Sequence, residues 1–508
     1  MHRLPFIAPR AGRFVVGVLF SLKILLLAWN AIVFDTRGYD HTHHADRALF
    51  GGLRVSKMAY NPPPYYLPAL LLPRPADVPL IERNPETAGD DEEAVQAREE
   101  RRVPTTASER RHRAALLALL RYTNVLYVGA FYWLWIYFSF PRLLPGPGAW
   151  FLASVLLLAL PGYQKLGVMT HPDNLFAATS AACAAGWLGL RERWTRRSAG
   201  VDTNGVGFWH LAWLALAIGA AGLTRPFAIV PVLVFSGVLV VYVRRLEGPT
   251  IAWPRMLLRA GALLTVIGAL SLGWYVYRWS RSGEVTNAYK TAYMARFEKH
   301  KKDFDFVGYF TRFRLGDLLE NPNRQMAKDK DRPIPDNPRA NTFFTLLYSE
   351  FWGDHWLHFS GPAKKETKLW PKRVVLTTAL AVPFVLLWAL VQRSRDIWKN
   401  ARATLGKVGA RPFVSRALEL GTVFEREIVL LGLAGFGAAL FVYWQTGPAL
   451  LPGKNSTIKF IYVATFVPPG IALLFGRRMQ PLTFNVLAAY FLTLFIAAFP
   501  VAMFWPNY

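Results

Sequence analysis

About eleven stretches of this chain are long and apolar enough to cross a bilayer, and that repetition constrains the fold more than any motif. They fall near residues 14–34, 119–140, 149–163, 174–190, 207–224, 226–243, 257–278, 373–392, 427–446, 457–475 and 481–505. A hydrocarbon core of about 30 Å needs roughly 20 apolar residues per helix. No water inside it can satisfy backbone N–H and C=O groups, so runs of this length must be helices. The third run is short and is expected to tilt little or to be partly re-entrant. A hydrophobic fraction of 53% over 508 residues agrees with an all-α, polytopic integral membrane protein.

The formal charge of +26 raises nucleic acid as a partner, but its distribution argues against that. Arg3, Arg10 and Arg13 precede the first run. Arg191, Arg193, Arg196 and Arg197 follow the fourth, Arg244 and Arg245 the sixth, Arg393 and Arg395 the eighth, and Arg477 and Arg478 the tenth. With the N-terminus in the cytoplasm, an alternating count of eleven spans puts all these loops inside, as the positive-inside rule requires. A nucleic-acid-binding protein would carry its basic stripe on one soluble face. The single cysteine, Cys183, lies in an apolar run and can form no intramolecular disulfide. The first run is too long for a signal-peptide core, so no cleavable leader is expected.

The chain therefore divides into a cytoplasmic N-terminus and first span (1–34), a long outside connection (35–118), spans two to seven (119–278), a second long outside connection (279–372) and spans eight to eleven (373–508). Within the first connection, Glu82–Arg113 is densely charged and reads as a mobile loop or a solvated amphipathic helix. The second is rich in aromatic residues, which suits a cap lying at the membrane interface.

Chemistry-bearing residues gather at the outside ends. Asp35, Asp40 and Asp46 surround His41, His43 and His44 just past the first span. On a helix starting near Tyr39, Asp40 and His44 are four apart and share a face. A carboxylate there can accept a proton from a hydroxyl, and His44 can orient it or hold a phosphate. The histidines also suit a divalent cation, although no metal ligand set is assigned. Tyr60-Asn-Pro-Pro-Pro-Tyr65-Tyr66 follows, a stiff extended rod that can brace a site. Before the fourth span, His171 and Asp173 can contact a sugar or phosphate, or Asp173 or Asn174 can simply cap the helix. Arg225, at the outside end of the fifth span, suits a lipid phosphate or snorkels to headgroups. Glu350, Asp354 and His355 can bind sugar hydroxyls. Trp352 can stack on a sugar ring or anchor at the interface. Lys454 and Lys459 precede a Tyr-containing run and can hold a donor phosphate or sit at the interface as ordinary lysines.

The opening layout of a first span, an outside Asp with His four residues on, a short helix ending in glycine and then Asn-Pro-Pro-x-Tyr-Tyr-Leu resembles the start of GT-C membrane glycosyltransferases. The similarity is to the protein O-mannosyltransferase and lipid A aminoarabinose transferase group. That resemblance implies a GT-C-like fold with an active site facing the periplasm or cell exterior, and it assigns the catalytic base to Asp40. The family often places two adjacent acids there, whereas this chain has Asp40-His41, so Asp35 and Asp46 stay open as bases. The implied donor is a polyprenyl-phosphate sugar, because an outside site has no access to cytoplasmic nucleotide sugars. The acceptor is a lipid, a glycan or a protein. The high Arg and Trp content suggests a bacterial inner membrane. Two alternatives are a glycan ligase using a polyprenyl-pyrophosphate carrier and a lipid or glycan transporter. A transporter would carry polar residues at mid-depth, whereas these runs read as mostly clean.

Overall fold

The computed structural model describes residues 9–33, 63–73, 75–77, 106–169, 171–201, 207–247, 253–282, 306–313, 315, 343–352, 370–408, 420–446 and 460–502. Among these residues the chain is helical, with no strand. The main helices are α1 (Pro9–Val33), α2 (Ala107–Trp133), α3 (Pro147–Ala159), α4 (Gly162–Val168), α5 (Asp173–Ser198), α6 (Phe208–Gly222) and α7 (Ile229–Glu247). They continue as α8 (Trp253–Ser282), α9 (Phe343–Trp352), α10 (Trp370–Ala379), α11 (Val382–Val408), α12 (Glu425–Thr446), α13 (Val467–Leu474) and α14 (Pro481–Ala502).

Among the described residues each of the eleven apolar runs contains helix, and six helical stretches are long and apolar enough to cross a membrane: 10–33, 107–143, 226–245, 254–277, 373–406 and 481–500. Shorter apolar helices occupy 147–159, 208–222 and 464–474. Large apolar side chains face outward along the long helices, among them Phe14, Leu25, Trp29 and Ile32 on α1, Leu258 on α8 and Phe384 on α11. In water such surface would drive association; against lipid it is matched. The protein is therefore read as an all-α membrane protein.

Local chemistry explains the departures from the expected boundaries. Helix α2 begins at Ala107, inside the segment read as a connection up to 118, because Thr106-Ala-Ser-Glu109 forms a capping box. Thr106 Oγ1 accepts the Glu109 N–H at 3.0 Å, and Glu109 Oε2 accepts the Thr106 N–H at 3.3 Å. Two donors otherwise left over at a helix start are satisfied reciprocally. At its other end α2 widens into a π stretch, Leu134–Ser139. In that register the Ile136 carbonyl would pair with residue 141, which is a proline without an N–H. The Trp150 indole N–H donates to that carbonyl instead, at 2.6 Å.

Helix α3 is the centre of the bundle. Its residues from Ala149 to Ala159 are buried on every side, as an all-apolar helix must be. It packs on α1 and α14. The short third run is thus a short, fully enclosed helix. The chain then breaks at Leu160-Pro161 and restarts as α4. Two glycines let neighbours approach α4 closely. A Cβ on Gly162 would stand 2.6 Å from the Phe460 ring, and one on Gly167 would stand 2.1 Å from Leu27.

The runs read as mostly clean, and the first carries an exception. The first span is not clean, because Lys23 lies at mid-helix and is 2% exposed. Its Nζ donates to the Leu160 carbonyl at 3.3 Å. Gln164, on α4, is also fully buried.

Candidate functional site

Helix α4 leads into the segment 169–174, where several residues nominated from sequence converge. The Met169 carbonyl accepts the side-chain amides of Asn124, at 2.5 Å, and Asn174, at 2.9 Å. Asn124 Oδ1 in turn accepts the Tyr65 hydroxyl at 3.0 Å. Tyr65 comes from the Pro-rich rod, so this bond ties the first long connection to α2. Burial holds the Tyr65 phenol well above its ordinary range, partly offset by the bond to Asn124, so it stays protonated and donates. Tyr65 and Tyr66 pack edge to face, with ring centroids 5.1 Å apart, over Leu116 and Leu120 of α2.

Beside this polar seam lies the charged part of the site. Asp173 opens α5, whose N-cap is Pro172 without a side-chain cap bond. Neither Asp173 nor Asn174 caps the helix, so that alternative is set aside. Asp173 Oδ2 stands 2.7 Å from His171 Nδ1 and Asp173 Oδ1 stands 2.8 Å from Arg225 Nε. All three side chains are buried, and Arg225 is 7% exposed. Arg225 therefore does not snorkel to headgroups; it turns inward to a carboxylate. Burial pushes the Asp173 carboxyl up, but Arg225 and His171 more than reverse this and leave it below the ordinary carboxylate value. The helix N-terminus behind Asp173 favours the same ionised form.

Aromatic contacts carry the site on to the third wall. Phe227, two residues past Arg225, stacks on Tyr462 with centroids 5.3 Å apart and planes 22° from parallel. Phe460 lies edge-on to Tyr163, at 4.8 Å, and to Phe351, at 4.7 Å. The Phe460 N–H points to Glu350 Oε2 at 3.5 Å. Tyr163 closes the loop by donating to the Ala464 carbonyl at 2.6 Å. Helix α9 is thereby docked on α4 and on the 460–466 segment. Tyr348 of the same helix donates to the Leu376 carbonyl of α10.

Of the nominated residues, Tyr65, His171, Asp173, Arg225 and Glu350 are thus joined by one chain of contacts at one end of the bundle. Trp352 lies at the same end but is 3% exposed within the main core, so it offers no open face for a sugar. Asp40 and His44, with Asp35 and Asp46, lie outside the described residues, as do Asp354, His355, Lys454 and Lys459. Among the described residues no group of three His, Cys, Asp or Glu side chains is placed to hold a metal ion. Sequence reasoning missed Asn124 and Phe460, and read Asn174 only as a candidate cap. An asparagine inside an apolar run was the available signal for Asn124.

The opposite end, which the charge bias assigns to the cytoplasm, carries a different network. Glu425 Oε1 accepts the Trp187 indole N–H and the Tyr242 hydroxyl, each at 2.9 Å, while its Oε2 accepts Arg245 at 2.6 Å. Glu427 accepts Arg393 and Arg426, and Arg426 also donates to the Leu143 carbonyl at 2.9 Å. Arg142 pairs with Glu192 at 3.0 Å. Arg142, Leu143, Glu192, Arg245, Arg393, Glu425 and Arg426 lie in loops that the alternating count puts on that side, and Trp187, Tyr242 and Glu427 lie at the adjoining ends of the runs.

No family model, no curated protein and no solved structure matches the chain. Fold and site together define an all-α membrane protein with a buried His–Asp–Arg constellation at one end.

Proposed function

We propose that this protein is a membrane glycosyltransferase of GT-C type that moves a sugar from a polyprenyl-phosphate carrier to an acceptor at the extracytosolic face. The observation that carries the reading is the convergence of Tyr65, His171, Asp173 and Arg225, from three separate segments, in one buried constellation. Eleven spans and an N-terminus inside would put that constellation at the outer surface, where a lipid-borne donor presents its phosphate. Asp40 would take the proton from the acceptor hydroxyl. The acceptor oxygen would then attack the anomeric carbon, and the bond from that carbon to the carrier phosphate would break. Arg225, with Lys454 or Lys459, would neutralise the charge that grows on the departing phosphate. His44, His171, Glu350, Asp354 and His355 would hold sugar or phosphate oxygens. The acceptor would be a lipid, glycan or protein, and the compartment the bacterial inner membrane with its site toward the periplasm.

The test is transfer of radiolabelled sugar from a panel of polyprenyl-phosphate sugars in membranes. Wild type is compared with Asp40→Asn and Arg225→Ala at matched protein levels. Transfer that vanishes in Asp40→Asn supports both donor class and base. Transfer retained by Asp40→Asn moves the base to Asp35 or Asp354. No transfer from any carrier phosphate sinks the reading. Lys23, buried at mid-depth, favours a lipid or glycan transporter as the second reading, and protein-dependent flipping of a labelled carrier lipid in vesicles would then replace transfer.

A further inference from the structure

Buried polar atoms in proteins nearly always have a partner, and where the chain supplies none a small molecule or ion does. The break between α3 and α4 collects several such atoms deep in the bundle. Gln164 is fully buried, and neither its Nε2 nor its Oε1 has a hydrogen-bond partner. The Tyr132 hydroxyl of α2 is buried without a partner too, and its ring lies 5.5 Å from that of Tyr163, the neighbour of Gln164. Lys23 of α1 reaches the same break, where its Nζ donates to the Leu160 carbonyl.

Lys23 is the part that decides what such a ligand would be. It is 2% exposed, and no carboxylate among the described residues pairs with it. A buried ammonium without a counter-charge is strongly disfavoured: it sheds its proton or is completed by an anion, and the unpartnered donors beside it favour the anion. An ionisable side chain at mid-span marks a functional site by default. The end of α3 contributes only partial negative charge through its last carbonyls. Helix α4 then links this break to the candidate site. Its seven residues span about 10 Å, from Gly162 to the Met169 turn where Asn124, Asn174 and His171 meet.

We propose that Lys23, Gln164 and Tyr132 form a second, internal binding site, and that its ligand is an oxyanion of the phosphate class. The Lys23 ammonium supplies the charge, and the Gln164 amide and the Tyr132 hydroxyl donate to the anion's oxygens. The ligand is either the phosphate of a lipid carrier or a free phosphate, and the inference stands whether or not the protein transfers sugar.

The experiment reads thermal melting of the full chain in detergent as a function of added inorganic phosphate, farnesyl phosphate or farnesol, at constant ionic strength. Wild type is expected to gain melting temperature with a phosphate-bearing probe. Lys23→Met and Gln164→Leu should weaken that response at least tenfold in midpoint concentration. Stabilisation by inorganic phosphate assigns a free anion; stabilisation by farnesyl phosphate alone assigns a lipid phosphate. If Lys23→Met does not fold, Gln164→Leu decides, since it leaves the ammonium in place. Three results overturn the inference: no stabilisation by either phosphate, equal stabilisation by farnesol, or a response lost in Arg225→Ala and intact in Lys23→Met and Gln164→Leu. A lower melting temperature in Lys23→Met with an unchanged phosphate response would mean that Lys23 only caps α3, and would also overturn it.

Discussion

The two ends of the bundle use the same residue types to opposite effect. At the basic end, Glu425 uses both oxygens in aligned hydrogen bonds to Trp187, Tyr242 and Arg245, and so binds α5, α7 and α12 into one unit. At the other end, Asp173 is more deeply buried and stands as close to His171 and Arg225, yet its Oδ2 has no aligned hydrogen bond. The first arrangement ties three helices together through aligned bonds to both oxygens. The second holds its charge by proximity to His171 and Arg225 and leaves acceptor capacity on Oδ2. Equal ion-pair distances therefore do not imply equal roles; on the proposed function, the remaining lone pairs separate the clamp from the site.

Removing each carboxylate is the strongest way to break this comparison. Asp173→Asn should lower sugar transfer by about 100-fold or more, the scale expected when a charge-positioning group is lost from an electrostatic site. Its cost in folding stability should be the smaller part of the effect. Glu425→Ala should do the reverse. It strands a mostly buried Arg245 and two aromatic donors, which costs about 3 kcal/mol of stability. Transfer per folded molecule should stay near wild type. Melting temperatures and transfer rates of both variants, measured on the same preparations, decide the matter. A Glu425 variant that melts normally and loses transfer would reverse the two roles.

Packing around α4 offers a sharper, smaller test. Gly162→Ala pushes a methyl group to 2.6 Å from the Phe460 ring. Overpacking of this kind costs about 1–3 kcal/mol. Because Phe460 also meets Glu350, the strain should reach the site, and transfer should fall along with stability. Gly17→Ala on α1, where an added Cβ meets nothing within 4 Å, is the control and should change neither.

Much of the fold was legible because a membrane span must be apolar over its whole length. Every run counted in the sequence contains helix among the described residues, and the basic loops that follow the second, fourth, sixth, eighth and tenth runs meet at one end. Helix ends were read less well. The start of α2 was placed at 119 although Thr106-Ala-Ser-Glu109 spells out a capping box, because hydropathy averages over charged helical turns such as Arg110–Arg113. The same averaging hid Lys23. Its spacing from Val16, Leu27 and Asn30 puts it on the buried face of α1, and that helical period carries the information that a run average discards. At the site, His171, Asp173 and Arg225 were each named from the sequence, but the pairing of Asp173 with Arg225 joins α5 to the end of α6. No local pattern encodes such a contact. Trp352 shows the converse: an aromatic residue in an outside connection looks like a sugar platform until packing buries it.

Acid sensitivity is the smallest effect and separates the two ends in a different way. The folded-state value of Asp173 is depressed below its ordinary 3.8, because Arg225 and His171 outweigh the cost of burial. A depressed carboxylate contributes stability that is fully present above the unfolded value and is lost as pH falls through the folded one. Stability from this site should therefore be constant from neutral pH down to roughly the ordinary carboxylate range and should fall below it. In Asp173→Asn this acid-dependent part should disappear, leaving a flatter profile below that range. Melting curves of wild type and variant across the acid limb provide the measurement. Parallel acid limbs would mean that Asp173 is not held as an ion in the folded protein. The constellation would then lose the negative charge that keeps Arg225 turned inward, and with it the physical basis for treating this end as the site.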